Sequence, residues 1–94
     1  MQDRESMRRS RLQAYIAILH TLAQNGKSIP THIVYDSFLN CSSVIECLEF
    51  LMNCDLVQEF SYEKRRSYDI TDSGLKALEL AQEIDKSFHV FNVT

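Results

Sequence analysis

A mostly helical α+β domain is the fold class this sequence predicts, and three observations predict it. Apolar residues recur at helical spacing in four stretches, a charged tip separates two short alternating stretches, and only two Gly and one Pro punctuate the chain. Ninety-four residues leave room for one core and no second. Apolar residues at 45% and charged residues at 24% exclude a disordered tail, a collagen-like rod and a disulfide scaffold.

The first helix is predicted over about residues 10–24. Leu12, Tyr15, Ile16, Leu19, Leu22 and Ala23 recur at helical spacing, and Asn25-Gly26 supplies a left-handed stop. After Lys27-Ser28-Ile29, Pro30 opens a shorter helix that is expected to stop near Leu39 and to turn Ile33, Val34 and Phe38 inward. Asn40 can cap a third helix by accepting from the amide of Ser43, and the stripe Val44, Cys47, Leu48 and Leu51 follows. That helix ends at Asn53-Cys54-Asp55. Residues 56–62 and 67–70 then alternate around the tip Glu63-Lys64-Arg65-Arg66 and read as a β-hairpin whose turn type is open, since no Asn-Gly marks it. Thr71 offers a hydroxyl cap and Asp72 a favourable charge for a fourth helix lasting to about residue 87, which leaves the tail 88–94 unassigned.

Helix, helix, tight turn, helix, two-stranded hairpin and helix is the order of a winged helix-turn-helix: a three-helix core, a hairpin wing and a C-terminal helix. The whole chain reads as one such domain, with a basic arm over residues 1–10, a core over 11–70 and a last helix over 71–87.

Two stretches carry a resemblance. Thr31-His32-Ile33-Val34-Tyr35-Asp36-Ser37-Phe38-Leu39-Asn40, continuing through Leu48-Glu49-Phe50-Leu51 to Leu56-Val57, is one. Tyr68-Asp69-Ile70-Thr71-Asp72-Ser73-Gly74 is the other. Both resemble the small archaeal winged helix-turn-helix proteins described as transcriptional regulators, and the similarity covers about residues 12–85. The resemblance implies binding to double-stranded DNA, commonly as a homodimer whose last helices pair, and it implies no enzymatic activity. This chain departs from that pattern at Asp55, where such sequences usually have Gly. It departs again in the third helix, which carries Glu46 and Glu49 with no Lys or Arg.

Ten Lys and Arg against thirteen Asp and Glu give a formal net charge of −3, so nucleic-acid binding has to rest on a local patch. Residues 30–61 hold no basic residue, and the cations gather at the N-terminus and at the hairpin tip. In a helix-turn-helix the early exposed positions of the third helix, here Cys41, Ser42, Ser43 and Glu46, face base edges. Glu46 can accept from a cytosine amino group, or it can share with Glu49 an ordinary solvated face. Lys64, Arg65 and Arg66, flanked by Tyr62 and Tyr68, are candidates for phosphate contact, although charged tips also serve simply to stay solvated. Arg8, Arg9 and Arg11 enter the first helix from the arm. Cations there oppose the helix dipole, which points towards a negatively charged partner.

Leu75, Leu78, Leu80, Ala81, Ile84 and Phe88 spread the apolar surface of the last helix wider than one domain face needs, so part of it is expected to meet a second copy. Cys41, Cys47 and Cys54 lack the spacing of a zinc knuckle and read as reduced thiols of a cytoplasmic protein, with no metal and no cofactor implied. No membrane segment, small-molecule ligand, Gly-rich phosphate loop or activated nucleophile is evident, so no enzyme is expected. Two function classes remain: a dimeric DNA-binding regulator or architectural protein, and a protein-interaction module whose acidic face over residues 36–59 docks a basic partner.

Overall fold

The computed structural model describes the backbone of residues 2–93 and the side chains of residues 11–84 and 86. In chain order the elements are α1 (Gln2–Asn25), α2 (Pro30–Ser37), α3 (Cys41–Asn53), β1 (Val57–Tyr62), β2 (Arg65–Ile70) and α4 (Asp72–Val93). This is a winged helix-turn-helix, with β1 and β2 forming the antiparallel wing.

α1 begins at Gln2, well before the expected residue 10. The basic arm is therefore the first part of this helix, and Arg8, Arg9 and Arg11 lie beyond its first turn. Charge acts on the helix dipole mainly within that turn, so the argument from opposed dipole and cations lapses. Asp3 and Glu5 flank Arg4 in the first turn and precede Arg8, Arg9 and Arg11, so the first turn carries a net negative charge, which favours a helix start. The buried face of α1 also differs from the expected stripe: Ala14, Ile18, Leu19, Thr21 and Leu22 are buried, whereas Leu12 and Ala23 are exposed. The helix touches α2, α3, α4 and β2, so its burial is set from several directions and a single stripe does not describe it. Gly26 stops it at φ 76°, with its amide donating to the Leu22 carbonyl at 2.8 Å.

Pro30 occupies the first turn of α2, where its missing amide hydrogen is no loss. Ile33 is fully buried, but Phe38 is 94% exposed, against the expectation that it turns inward. The cause is local: α2 stops at Ser37, before Leu39, and Phe38 caps it in the left-handed conformation at φ 61°, which takes its side chain off the helical period. The tight turn then reaches Asn40, whose Oδ1 accepts from the Ser43 amide at 2.8 Å and starts α3 as expected. Val44, Cys47, Leu48 and Leu51 are all buried in the core with Ile18, Leu22 and Ile33.

Asp55 takes the left-handed conformation at φ 62°, the place where a glycine would be cheaper. The wing follows, with Val57 paired to Ile70 and Tyr62 to Arg65. Its loop is only Glu63-Lys64, at φ 48° and 66°, and two successive positive φ values mark a type I′ turn. Arg65 and Arg66 therefore lie in β2 and not at the tip. Ser28 joins the same sheet on its other side: its amide donates to the Tyr68 carbonyl and its carbonyl accepts from the Tyr68 amide, both at 2.8 Å. α4 continues to Val93, so the expected tail is helical backbone as far as that residue.

Candidate nucleic-acid interface

α3 offers one face to the core and one to solvent, because residues three and four apart share a side of the helix. Opposite the buried stripe stand Ser42, Ile45, Glu46 and Glu49, all exposed, with Cys41 at the first helical position. Ser43 belongs less to this face than the sequence pattern implies. It is half-buried, and its amide is committed to the Asn40 cap. Ile45, 47% exposed, is a residue the sequence reading passed over. The signal was available: an apolar residue one position after Val44 falls outside the core stripe.

One flank of α3 is closed by α1. Tyr15 and Phe50 stack with ring centroids 4.6 Å apart and planes 13° apart, and Arg11, Tyr15, Glu46, Cys47 and Phe50 line a shallow cleft between the two helices. Arg11 is thus a neighbour of the Glu46 side of α3. Burial pushes the Cys47 thiol above its usual range, the Glu46 carboxylate pushes it further, and Arg11 opposes both. Cys47 is consequently a neutral, inert part of the core, while Cys41 and Cys54 are exposed at opposite ends of α3. Among the described residues no group of three or more His, Cys, Asp or Glu is arranged to hold a metal ion.

The wing sorts its cations by strand register. Paired residues share a face, so Val57, Glu59 and Ser61 lie on the same side as Ile70, Tyr68 and Arg66, while Gln58, Phe60 and Tyr62 lie with Asp69, Ser67 and Arg65. On the first side Val57 and Tyr68 reach the core. The Tyr68 hydroxyl donates to Glu59 Oε2 at 3.2 Å, and the Arg66 Nε lies 3.5 Å from the same oxygen. Burial, followed by the Glu59 carboxylate, holds the Tyr68 phenol above its ordinary range. On the second side Arg65 lies beside Tyr62, and Lys27 Nζ sits 4.2 Å from the centroid of Phe60. Lys27 thus joins the outer face of the wing, which its place in a short connection does not announce.

The three wing cations are therefore split: Lys64 at the turn, Arg65 on the outer face, Arg66 on the inner face beside a carboxylate. The side chains of Arg8 and Arg9 lie outside the described residues.

On α4, Leu78 is 6% exposed and packs in the core, so it is not open to a second chain as the sequence pattern had it. Leu80 at 63% and Ile84 at 52% are exposed one turn apart, with Ala81 half-buried beside them. Leu75 is exposed near the start of the helix, and the side chain of Phe88 lies outside the described residues.

Residues 8–88 match the family model described as winged helix-turn-helix. No curated protein matches the sequence. Among solved structures the fold is similar to Sso10a-2, a DNA-binding protein from Sulfolobus solfataricus, with a TM-score of 0.73 and 19% identity over 83% of this chain and 84% of that one. It is also similar to the transcriptional regulator BldR from Sulfolobus solfataricus, at TM-score 0.73 and 18% identity over 81% of this chain. The chain spans only 56% of the length of BldR. A third similar structure is the Zα domain of Carassius auratus PKZ, solved in complex with Z-DNA, at TM-score 0.60 and 32% identity over 66% of this chain and 98% of that one. Among the described residues no helix is long and apolar enough to cross a membrane.

Proposed function

The chain belongs to the winged helix-turn-helix family, and from that premise we propose that it binds double-stranded DNA as a homodimer and acts as a transcriptional regulator or an architectural protein. The observation that carries the reading is the wing: a type I′ hairpin that holds Lys64 at its turn and Arg65 beside Tyr62 on its outer face, with Lys27 nearby. Cations on such a hairpin neutralise phosphates and fix the register of the protein on the duplex. α3, with Cys41, Ser42 and Glu46 at its open N-terminal half, is the element that enters the major groove. Arg11, and with it Arg8 and Arg9 earlier on the same helix, extend the phosphate contacts.

Dimerisation is supported by Leu80 and Ile84, an apolar pair that stays exposed among the described residues. Pairing through α4 brings two wings to one duplex. The similar structures described as a DNA-binding protein, a transcriptional regulator and a Z-DNA complex accord with this reading. It includes no catalytic activity and no cofactor.

A gel-shift titration of random duplex at two salt concentrations tests the proposal. Binding that weakens steeply with salt is expected, because each neutralised phosphate releases counterions. Indifference to salt, together with capture of a basic protein by the acidic face over residues 36–59, would replace it with the interaction-module reading.

A further inference from the structure

We infer that α3 reads a thymine methyl group through Ile45, an inference that rests on the duplex-binding reading above and specifies what the helix recognises. Four side chains form its open face: Ser42, Ile45, Glu46 and Glu49. Ser42 precedes Ile45 by three positions and Glu46 by four, and Ile45 precedes Glu49 by four, so they are neighbours on one side of the helix. The inward side is occupied by Val44, Cys47, Leu48 and Leu51, and one flank by the stack of Phe50 on Tyr15. Ile45 has no place in either, and 47% of it stays in water in the N-terminal half of the helix.

The chemistry of this face is selective. The major groove shows acceptors at guanine N7 and O6, adenine N7 and thymine O4, donors at the cytosine and adenine amino groups, and one apolar feature, the thymine C5 methyl. The Glu46 and Glu49 carboxylates act as acceptors, so they favour the amino groups and are repelled by an edge that presents only acceptors, as guanine's does. Ser42 adapts to donor or acceptor. Ile45 has no polar side-chain atom, and the thymine methyl is the one group in the groove that gains by covering it. The face also lacks the Arg or Lys that commonly reads guanine. α3 therefore selects a thymine next to a base presenting an amino group, while the cations that hold the duplex sit elsewhere, on the wing and on α1.

The test removes the methyl alone. Duplex sites are selected from a random library by the intact protein, and affinity is measured for the enriched site with thymine or with deoxyuridine at each thymine position. Burying one methyl is worth about 0.8 kcal/mol, so the uracil duplex is expected to bind about fourfold more weakly per half-site at one position. Ile45→Ala is expected to bind both duplexes equally, and Ile45→Val to keep most of the difference; circular dichroism of each variant verifies the fold. A wild-type protein indifferent to the methyl, or an Ile45→Ala variant as sensitive as wild type, overturns the inference. Salt-dependent binding with no enriched site also overturns it and leaves the duplex-binding reading standing. Failure to bind any duplex overturns both.

Discussion

Gly74 packs so closely on Leu56 that a Cβ there would run into the Leu56 carbonyl oxygen and lie 2.6 Å from Ile70 Cγ1. The same carbonyl accepts from the Thr71 amide at 3.0 Å. The Thr71 hydroxyl donates to the Asp55 carbonyl at 2.7 Å and accepts from the Gly74 amide at 2.9 Å. Thr71 and Gly74 thus clamp the start of α4 onto the connection between α3 and β1, which explains in physical terms the Thr-x-x-Gly spacing. Gly74→Ala is expected to lower stability by about 1–3 kcal/mol, as overpacking does when the neighbour is main chain. Denaturant unfolding measures it, and an unchanged midpoint would contradict the close packing.

Lys64 stands at φ 66° in the second position of a type I′ turn that normally takes Gly. A side chain there costs about 1 kcal/mol of backbone strain, so Lys64→Gly is expected to raise the denaturation midpoint. The same change removes a cation from the turn and is expected to weaken duplex binding. Opposite signs in unfolding and in binding are the prediction; a loss in both would show that the lysine supports the hairpin itself.

Tyr68 links core and wing, and its phenol is held above its ordinary value, 10.0, first by burial and then by Glu59. A raised value favours the neutral phenol in the fold. The stabilisation is fully present below about pH 10 and is lost as pH rises through the higher folded value. Tyr68→Phe is expected to cost about 1 kcal/mol near neutrality through the lost hydrogen bond to Glu59 and to lose less stability than wild type above pH 10. Unfolding curves across alkaline pH check this, and parallel losses in the two proteins would contradict it.

Leu78 and Leu80 are two residues apart and are expected to behave oppositely. Leu78, buried in the core, should cost about 2–5 kcal/mol when changed to Ala. Leu80→Glu, with Ile84→Glu, places charge on the uncovered pair and is expected to leave the fold near its wild-type stability while shifting the protein to a monomer in sedimentation. A wild-type protein that sediments as a monomer at high concentration removes the dimer from the account.

The particular residues show why parts of this fold were legible in sequence and others were not. Asn40 and Ser43 are three apart ahead of an apolar stripe, so the α3 cap follows from local chemistry, and the structure has that bond. Phe38 misleads because periodicity assumes the helix continues, whereas a left-handed cap ends α2 one residue earlier and turns the ring outward. The wing turn is silent because Glu63-Lys64 lacks the Asn-Gly that advertises positive φ, so all three cations looked like tip residues. Ser28 is a single bridging residue, too short for any alternation, and Lys27 beside it becomes part of the wing only through that bridge. Of the candidate interface, the exposed start of α3 is readable in sequence, while Ile45 stands out only against the core side and the α1 flank of the helix.

The central claim is that the wing cations follow a phosphate backbone, and the salt dependence of duplex affinity tests it most directly. For wild type, log K is expected to fall linearly with log salt at about −0.9 per phosphate contacted. For the variant carrying Lys64→Glu, Arg65→Glu and Arg66→Glu together, weaker binding and a slope shallower by about two to three contacts' worth are expected. Equal affinity and equal slope in the two proteins would contradict the account.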